Sequence, residues 1–261
     1  MSHLGLKGKR VGLVRRSYRL DGGAERALGS FLDLYNERAE KVVLLTESWD
    51  RRKVPAEVDI GKIHLFGTRG IKVLWFWFWT SYLRRRYRLD WVQSHEWIPG
   101  SEVIRLGDGL HSDWVKILAR LKGIPLWMYL LLSPFHSVML MVEKLTLTHR
   151  NLQFIIVNSQ FVADSVRLQY PPLAPKIRIV RNIVAKEFYR PGWTLNLPDE
   201  FRSCDLKLLF IGSGWRRKGL QNALKIVEAL GPKACLTIVG HDSASQKFKK
   251  LACSLGLDDR V

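Results

Sequence analysis

The chain is poor in cysteine, in acidic residues and in long unbroken apolar runs. Its three cysteines, Cys204, Cys235 and Cys253, are scattered and show no Cys-x-x-Cys spacing. That pattern argues against a disulfide framework and against a zinc centre, so no metal site is expected. Leu126–Val142 is the longest apolar stretch, but Ser133, Pro134, His136 and Ser137 interrupt it, and Ile71–Leu83 is shorter still. A comfortable membrane span needs about 20 apolar residues. Val11–Val14, behind Lys7, Lys9 and Arg10, is too short for a signal-peptide core. These absences describe a cytoplasmic protein, peripheral on the inner face of the cell membrane. The shortage of acid is the strongest of them. Asp and Glu number 24 against 42 Lys and Arg, which leaves a net charge of +18. Such an excess implies an anionic partner: a membrane surface, a phosphorylated substrate or nucleic acid. No helix-turn-helix, zinc-finger or RNP signature appears, so no specific nucleic-acid partner is expected.

What is present is a chain of 261 residues with ten tryptophans. Trp beside Arg favours a lipid–water interface; Trp also serves cores and sugar contacts. Short apolar runs alternate with helical periods. Strands are expected at Val11–Val14, Val42–Thr46, Ile63–Phe66, Trp91–Ser94, Val103–Leu106, Phe154–Val157 and Ile177–Val180. Helical spacing follows Ala24, spans Trp114–Leu121, surrounds Met139–Leu147 and covers Phe161–Leu168. The alternation predicts an α/β fold of βαβ units around a parallel sheet. Tyr189-Arg190-Pro191-Gly192 and Leu197-Pro198 mark a linker. The expected division is residues 1–190, a linker at 191–204, and 205–261. After the linker the pattern restarts: strand Lys207–Ile211, helix Leu220–Leu230, strand Cys235–Val239 and helix Ser245–Leu255 ended by Gly256. Asp258–Val261 is expected to open a third strand.

Four constellations can carry chemistry. In Gly212-Ser213-Gly214-Trp215-Arg216-Arg217-Lys218-Gly219 a strand breaks into a helix through glycines and cations. A helix start offers free N–H groups and the cations offer charge, so phosphate binding is expected, with Arg217 and Lys218 as donors. Gly240-His241-Asp242 ends the next strand at the same sheet edge. The spacing matches neither the dinucleotide fingerprint nor the P-loop. Second, Asp21-Gly22-Gly23-Ala24 follows the first strand; Gly22 and Gly23 either admit a phosphate close to the backbone or form a plain turn. Third, Arg105-Leu106-Gly107-Asp108-Gly109-Leu110-His111 ends a strand where open α/β sheets bind ligands. Asp108 there is either a reactive carboxylate or an Asx-turn residue. His64, His136 and His149 read as structural or surface residues. Fourth, Trp75-Phe76-Trp77-Phe78-Trp79 precedes an arginine cluster at Arg84–Arg88. It is either an interfacial segment or a core helix with a wet basic end.

The glycine–cation segment, its amphipathic helix and Leu236–Gly240 resemble the second-domain start of retaining family-four glycosyltransferases. Val157–Val162 and Ile179–Asn182 resemble the end of their first domain. Tyr18–Arg26 and Leu45–Trp49 are most similar to the lipopolysaccharide-core glucosyltransferases. The resemblance implies a GT-B-like pair of Rossmann-like domains, an N-terminal one for a lipid-linked acceptor and the beginning of a second one for a nucleotide-sugar. A UDP-sugar donor and no metal are implied. By position, Gly22 and Gly23 lie near the donor diphosphate, Arg217 and Lys218 neutralise it, Gly240 borders the donor site, and Asp108 sits near the reacting sugar. Transfer would retain configuration through front-face attack assisted by the leaving phosphate. Ile183 stands where the family usually has Gly, and the family's pair of Glu separated by seven residues is missing downstream. The expectation is therefore a C-terminally truncated hexosyltransferase acting on a lipopolysaccharide core or other glycolipid, partial and inactive as it stands. A non-catalytic acceptor-binding remnant and a basic nucleic-acid-binding protein are the alternatives.

Overall fold

The computed structural model describes residues 5–18, 23–50, 54–182 and 204–261. Gly22, Ile183 and the expected linker up to residue 203 lie outside the described residues. The chain forms two compact units, Met1–Val184 and Ala185–Val261.

In the first unit the elements run β1 (Arg10–Val14), β2 (Ser17–Tyr18), α1 (Gly23–Asn36), β3 (Lys41–Thr46), β4 (Ser48–Trp49), β5 (Asp59–Lys62), α2 (Arg69–Arg86), β6 (Trp91–Ser94) and β7 (Val103–Leu106). They continue as α3 (His111–Leu121), α4 (Leu126–Leu132), α5 (Pro134–Leu147), β8 (Phe154–Val157), α6 (Gln160–Gln169) and β9 (Ile177–Ile179). Seven strands pair in parallel in the order β5-β3-β1-β6-β7-β8-β9. Parallel strands are covered on both faces, and side chains alternate between those faces. Val42 and Leu44 of β3 accordingly join Leu28 and Leu32 of α1, while Val43 and Leu45 join Phe76 and Leu83 of α2. Gly12 in β1 leaves room for Leu89 on the α2 face: a Cβ there would lie 2.6 Å from Leu89 Cδ1.

One strand is displaced from its expected place. β5 is Asp59–Lys62, not Ile63–Phe66. As an edge strand it pairs only with β3 and tolerates a polar sequence. Ile63 adds one last rung to the Thr46 carbonyl and turns into the core, and Phe66 leaves the sheet to pack on Trp75 at 4.4 Å. The broken apolar stretch forms α4 and α5, bent by 110° at Ser133-Pro134. Among the described residues no single helix is long and apolar enough to cross a membrane.

The second unit contains β10 (Leu206–Ile211), α7 (Trp215–Lys218), α8 (Leu220–Leu230), β11 (Ala234–Val239) and α9 (Ser245–Ser254). β10 and β11 form a two-stranded parallel sheet. Leu208 and Phe210 face the core of Leu220, Leu224, Val227 and Phe248, whereas Leu209 and Ile211 are exposed. Two expectations are corrected here. Cys204 and Cys235 come together with their sulfurs in disulfide contact and their Cα atoms 6.0 Å apart, because they flank adjacent ends of β10 and β11. Residues 258–260 form a turn rather than a strand. One strand-like bond remains, from the Leu236 N–H to the Arg260 carbonyl, while the Arg260 guanidinium turns away to the Val227 and Gly231 carbonyls.

Candidate active site

In the second unit β10 ends at Gly212, whose φ of 131° and the φ of 72° at Gly214 demand glycine. The cations of α7 fold back over this loop. A Cβ on Gly212 would fall on Lys218 Nζ, and a Cβ on Gly214 would meet the Arg217 guanidinium at 3.7 Å. Arg216, Arg217 and Lys218 are exposed, and among the described residues none is paired with a carboxylate. Trp215 fixes the loop: its indole Nε1 donates to the Gly212 carbonyl at 2.8 Å, and its ring meets Phe248 edge-on.

One expectation changes here, and one residue gains a packing role. The first N–H of α7 is not free, since Trp215 N–H donates to Asp242 Oδ2 at 2.9 Å while Ala244 N–H donates to Oδ1 at 2.8 Å. These backbone bonds hold the Asp242 carboxyl below its usual range. The first N–H of α7 is thus engaged, while the side-chain cations of the helix stay exposed. Gly240 is needed for packing: its Cβ would lie 2.3 Å from the Gly212 carbonyl oxygen, so glycine lets the two strand ends meet.

In the first unit the carboxyl ends of β1, β6 and β7 gather charge. Arg15 Nη1 lies 3.4 Å from Glu96 Oε1, which also accepts the Arg16 N–H at 3.2 Å. Burial raises the Glu96 carboxyl above its ordinary value, against the pull of Arg15. Arg105 is buried and donates to Asn182 Oδ1 at 2.6 Å. His95 stands near Arg105 and Arg15; burial first, then those two cations, lower it to about 3. Asp108 is exposed at the tip of its loop, anchored by Asn158 Nδ2, which donates to the Gly107 carbonyl at 2.7 Å. Beside this edge a small open cavity of about 140 Å³ is lined by Arg16, Glu96, Trp97, Lys72, Phe76 and Phe135, among others. Gly23 opens α1, after the segment that carries Gly22. Among the described residues no group of three or more His, Cys, Asp and Glu is placed to hold a metal ion.

A second network lies behind Asp108. Glu143 of α5 is buried and accepts the N–H groups of His111 and Ser112, so it caps α3 from another helix. His111 Nε2 is 3.0 Å from His136 Nδ1, and Tyr129 Oη is 3.1 Å from His136 Nε2. Burial raises Glu143, and it lowers His111 to about 4.

Residues 21–188 match the family described as Glycosyltransferase Family 4, which is more than half of the chain. The chain belongs to Glycosyltransferase Family 4. Its fold is that of GT-B glycosyltransferase structures. WaaG, a glycosyltransferase involved in lipopolysaccharide biosynthesis, superposes with a TM-score of 0.78 at 18% identity, covering 96% of this chain and 68% of that one. Sucrose-phosphate synthase from Thermosynechococcus elongatus gives 0.68 at 15% identity, covering 97% and 69%. HepE from Anabaena, in complex with UDP and glucose, gives 0.57 at 14% identity, covering 97% and 68%. The chain thus spans about two thirds of the length of these structures. No curated protein matches it.

Within this glycosyltransferase the expected residues fall into two groups. Arg217, Lys218 and Gly240 meet at one strand-end loop, and Asp108 sits at the strand edge of the other unit. Sequence reasoning quoted Asp242, Trp215 and Arg105 within their motifs without giving them these bonds, and it missed Glu96 and Glu143. Asp242 carried a signal, since an Asp two residues past a strand-end glycine often bonds nearby N–H groups. Glu143 carried none, because its partners lie more than thirty residues away.

Proposed function

We propose that the chain binds the diphosphate of a nucleotide-sugar on the Gly212–Lys218 loop and serves hexose transfer, with retention, to a lipopolysaccharide core or similar glycolipid. The observation that carries this reading is the pair of exposed cations, Arg217 and Lys218, held over two glycines at a strand end and without a carboxylate partner among the described residues. Side chains there would fill the space that a phosphate needs. Arg217 and Lys218 neutralise charge on the leaving diphosphate, and no metal is needed for that role. The donor is a UDP-sugar, in keeping with the UDP and glucose held by HepE. Gly240 keeps the loop in register. Asp108 orients the acceptor or steadies positive charge on the reacting sugar. The cavity beside Glu96 and Trp97 suits an acceptor glycan, with aromatic walls for sugar faces and Arg16 and Lys72 for anionic substituents. The acceptor is lipid-linked, and the +18 charge favours a cytoplasmic protein peripheral on an anionic membrane.

Calorimetry with UDP tests this reading. Charge-assisted hydrogen bonds contribute roughly 1.5–3 kcal/mol each. Replacing both Arg217 and Lys218 with Ala therefore weakens UDP binding by at least about a hundredfold. Unchanged affinity removes the loop from the donor site.

A further inference from the structure

We propose that Glu143 of α5 is the positioning residue of Asp108: it fixes the start of α3, and with it the loop that presents the Asp108 carboxylate. The proposal rests on the transferase reading for the part that Asp108 plays, and it names what holds that carboxylate in place.

The loop is short and tied at both ends. At its near end the Gly107 carbonyl accepts from Asn158 Nδ2 at 2.7 Å. At its far end Glu143 accepts the N–H groups of His111 and Ser112. Only Asp108, Gly109 and Leu110 lie between the two ties. Leu110 is buried in the core with Leu147 and Val162, and Gly109 makes the turn at a φ of 81°. Asp108 is therefore exposed on a span whose ends are fixed.

The tie at α3 does more than close a helix. A helix start is ordinarily capped by the side chain just before it. Here that residue is Leu110, which packs inward and gives no side-chain cap. The acceptor comes instead from α5, 32 residues beyond His111. Glu143 is 1% exposed, and a buried carboxylate is costly unless N–H groups satisfy it. A local cap would stabilise α3 alone. A cap from α5 also fixes where α3 begins relative to α5. That helix supplies Phe135 and Met139 to the wall of the cavity beside the strand edge. Asp108 is close enough to Glu96, another lining residue, to act on it through its charge. One helix thus sets both a cavity wall and the carboxylate near that cavity. Such placement matters, since a shift of about 1 Å can cost about a hundredfold in rate.

Other bonds keep α3 docked when Glu143 is changed. His111 Nε2 lies 3.0 Å from His136 Nδ1, also on α5. Gln169 of α6 donates to Asp113 Oδ1 at 2.7 Å and accepts from Ser112 Oγ at 3.0 Å. These are side-chain ties, so loss of Glu143 falls on the first backbone N–H groups, next to the loop.

Sugar transfer from UDP-glucose to lipopolysaccharide lacking its hexose core tests the proposal, in a double-mutant cycle with Asp108→Asn. Glu143→Gln keeps one acceptor oxygen; Glu143→Met keeps the bulk and no acceptor. Turnover is expected to fall about threefold in the first and about thirtyfold in the second. With Asn at position 108 the same changes are expected to cost less than about twofold, because the group they misplace is already gone. Equal losses in both backgrounds assign Glu143 a purely structural role and overturn the proposal, as does full turnover in Glu143→Met. Nuclear magnetic resonance gives a second decision that needs no transfer. The Asn158 side-chain amide sits at the opposite end of the loop, and its signal is expected to shift in Glu143→Met. An unmoved Asn158 signal overturns the proposal. If Glu143→Met does not fold, the same measurement on Glu143→Gln decides. A wild-type chain that transfers no sugar refutes the transferase reading, while a shifted Asn158 signal still supports the tie between Glu143 and the loop, so the two can fail separately.

Discussion

His95 shows how a single residue in this site is governed by its neighbours. It accepts a hydrogen bond from Gln93 Nε2 at 3.0 Å, and Gln93 Oε1 in turn accepts from Tyr35 Oη. Burial with Arg105 and Arg15 nearby lowers its folded value to about 3, below an unfolded value of about 6.5. Neutral His95 therefore supports the fold above pH 6.5, and that support is lost as pH falls toward 3. The expected slope is up to about 1.4 kcal/mol per pH unit in that window. Urea denaturation of His95→Gln at neutral and mildly acidic pH should show this slope reduced by one proton's worth; an unaltered slope means His95 is not buried neutral. Asp108 has the opposite character: exposed, on a loop held by Asn158. Asp108→Asn is expected to leave the melting temperature unchanged and to lower sugar transfer about a hundredfold. Full turnover in that variant reduces Asp108 to a turn residue. The exposed loop position of Asp108 was legible because glycines flank it. Arg105 and Glu96 were not, because a charge placed at the end of a buried strand looks like any surface charge until the neighbouring strands are in register.

At the scale of elements, the interior strands were readable and the edges were not. β1, β3, β6, β7 and β8 are apolar because both of their faces are covered, so composition alone marks them. β5 escaped because edge position removes the need for an apolar sequence. α4 escaped for a related reason: its leucines satisfy no core-facing period, as most of them face outward. The meeting of β10 and β11 depends on Gly240. Gly240→Ala drives a Cβ into the Gly212 backbone, and overpacking of this kind costs about 1–3 kcal/mol. Gly256→Ala meets open space and only the left-handed φ of 64° opposes it, a penalty of about 1–2 kcal/mol. Hydrogen exchange at residues 207–211 and UDP affinity should respond to Gly240→Ala and not to Gly256→Ala. Matching effects from the two variants would mean that the strand ends can separate without loss.

On the scale of the whole molecule, the two units differ in how completely their sheets are covered. The first has a seven-stranded sheet with helices packed on both faces. Among the described residues the second has a two-stranded sheet, and Leu209, Ile211 and Val239 remain exposed on it. Stability is set by such coverage, and sparsely covered strands open more readily. Amides of Leu208–Ile211 and Leu236–Val239 are expected to exchange about tenfold or more faster than those of Val42–Leu45 and Phe154–Val157. Equal protection in both sets would show that the small sheet is as stable as the large one.

By itself the sequence determined the parallel α/β class, the strand-end glycines with their cations, the charge that asks for an anionic partner, and the membership of a glycosyltransferase family. These are local or compositional properties: periodicity fixes which side chains can point inward, and glycine spacing fixes where the backbone can turn. The tertiary structure decided the rest. It turned the Asp242 carboxylate onto the N–H at the start of α7, brought Glu143 across to cap α3, joined Cys204 to Cys235 and left the α3–α4 elbow bare. Each of these depends on which distant segments pack together, and whether a leucine is buried or a carboxylate is paired is settled only by the surface that arrives opposite it.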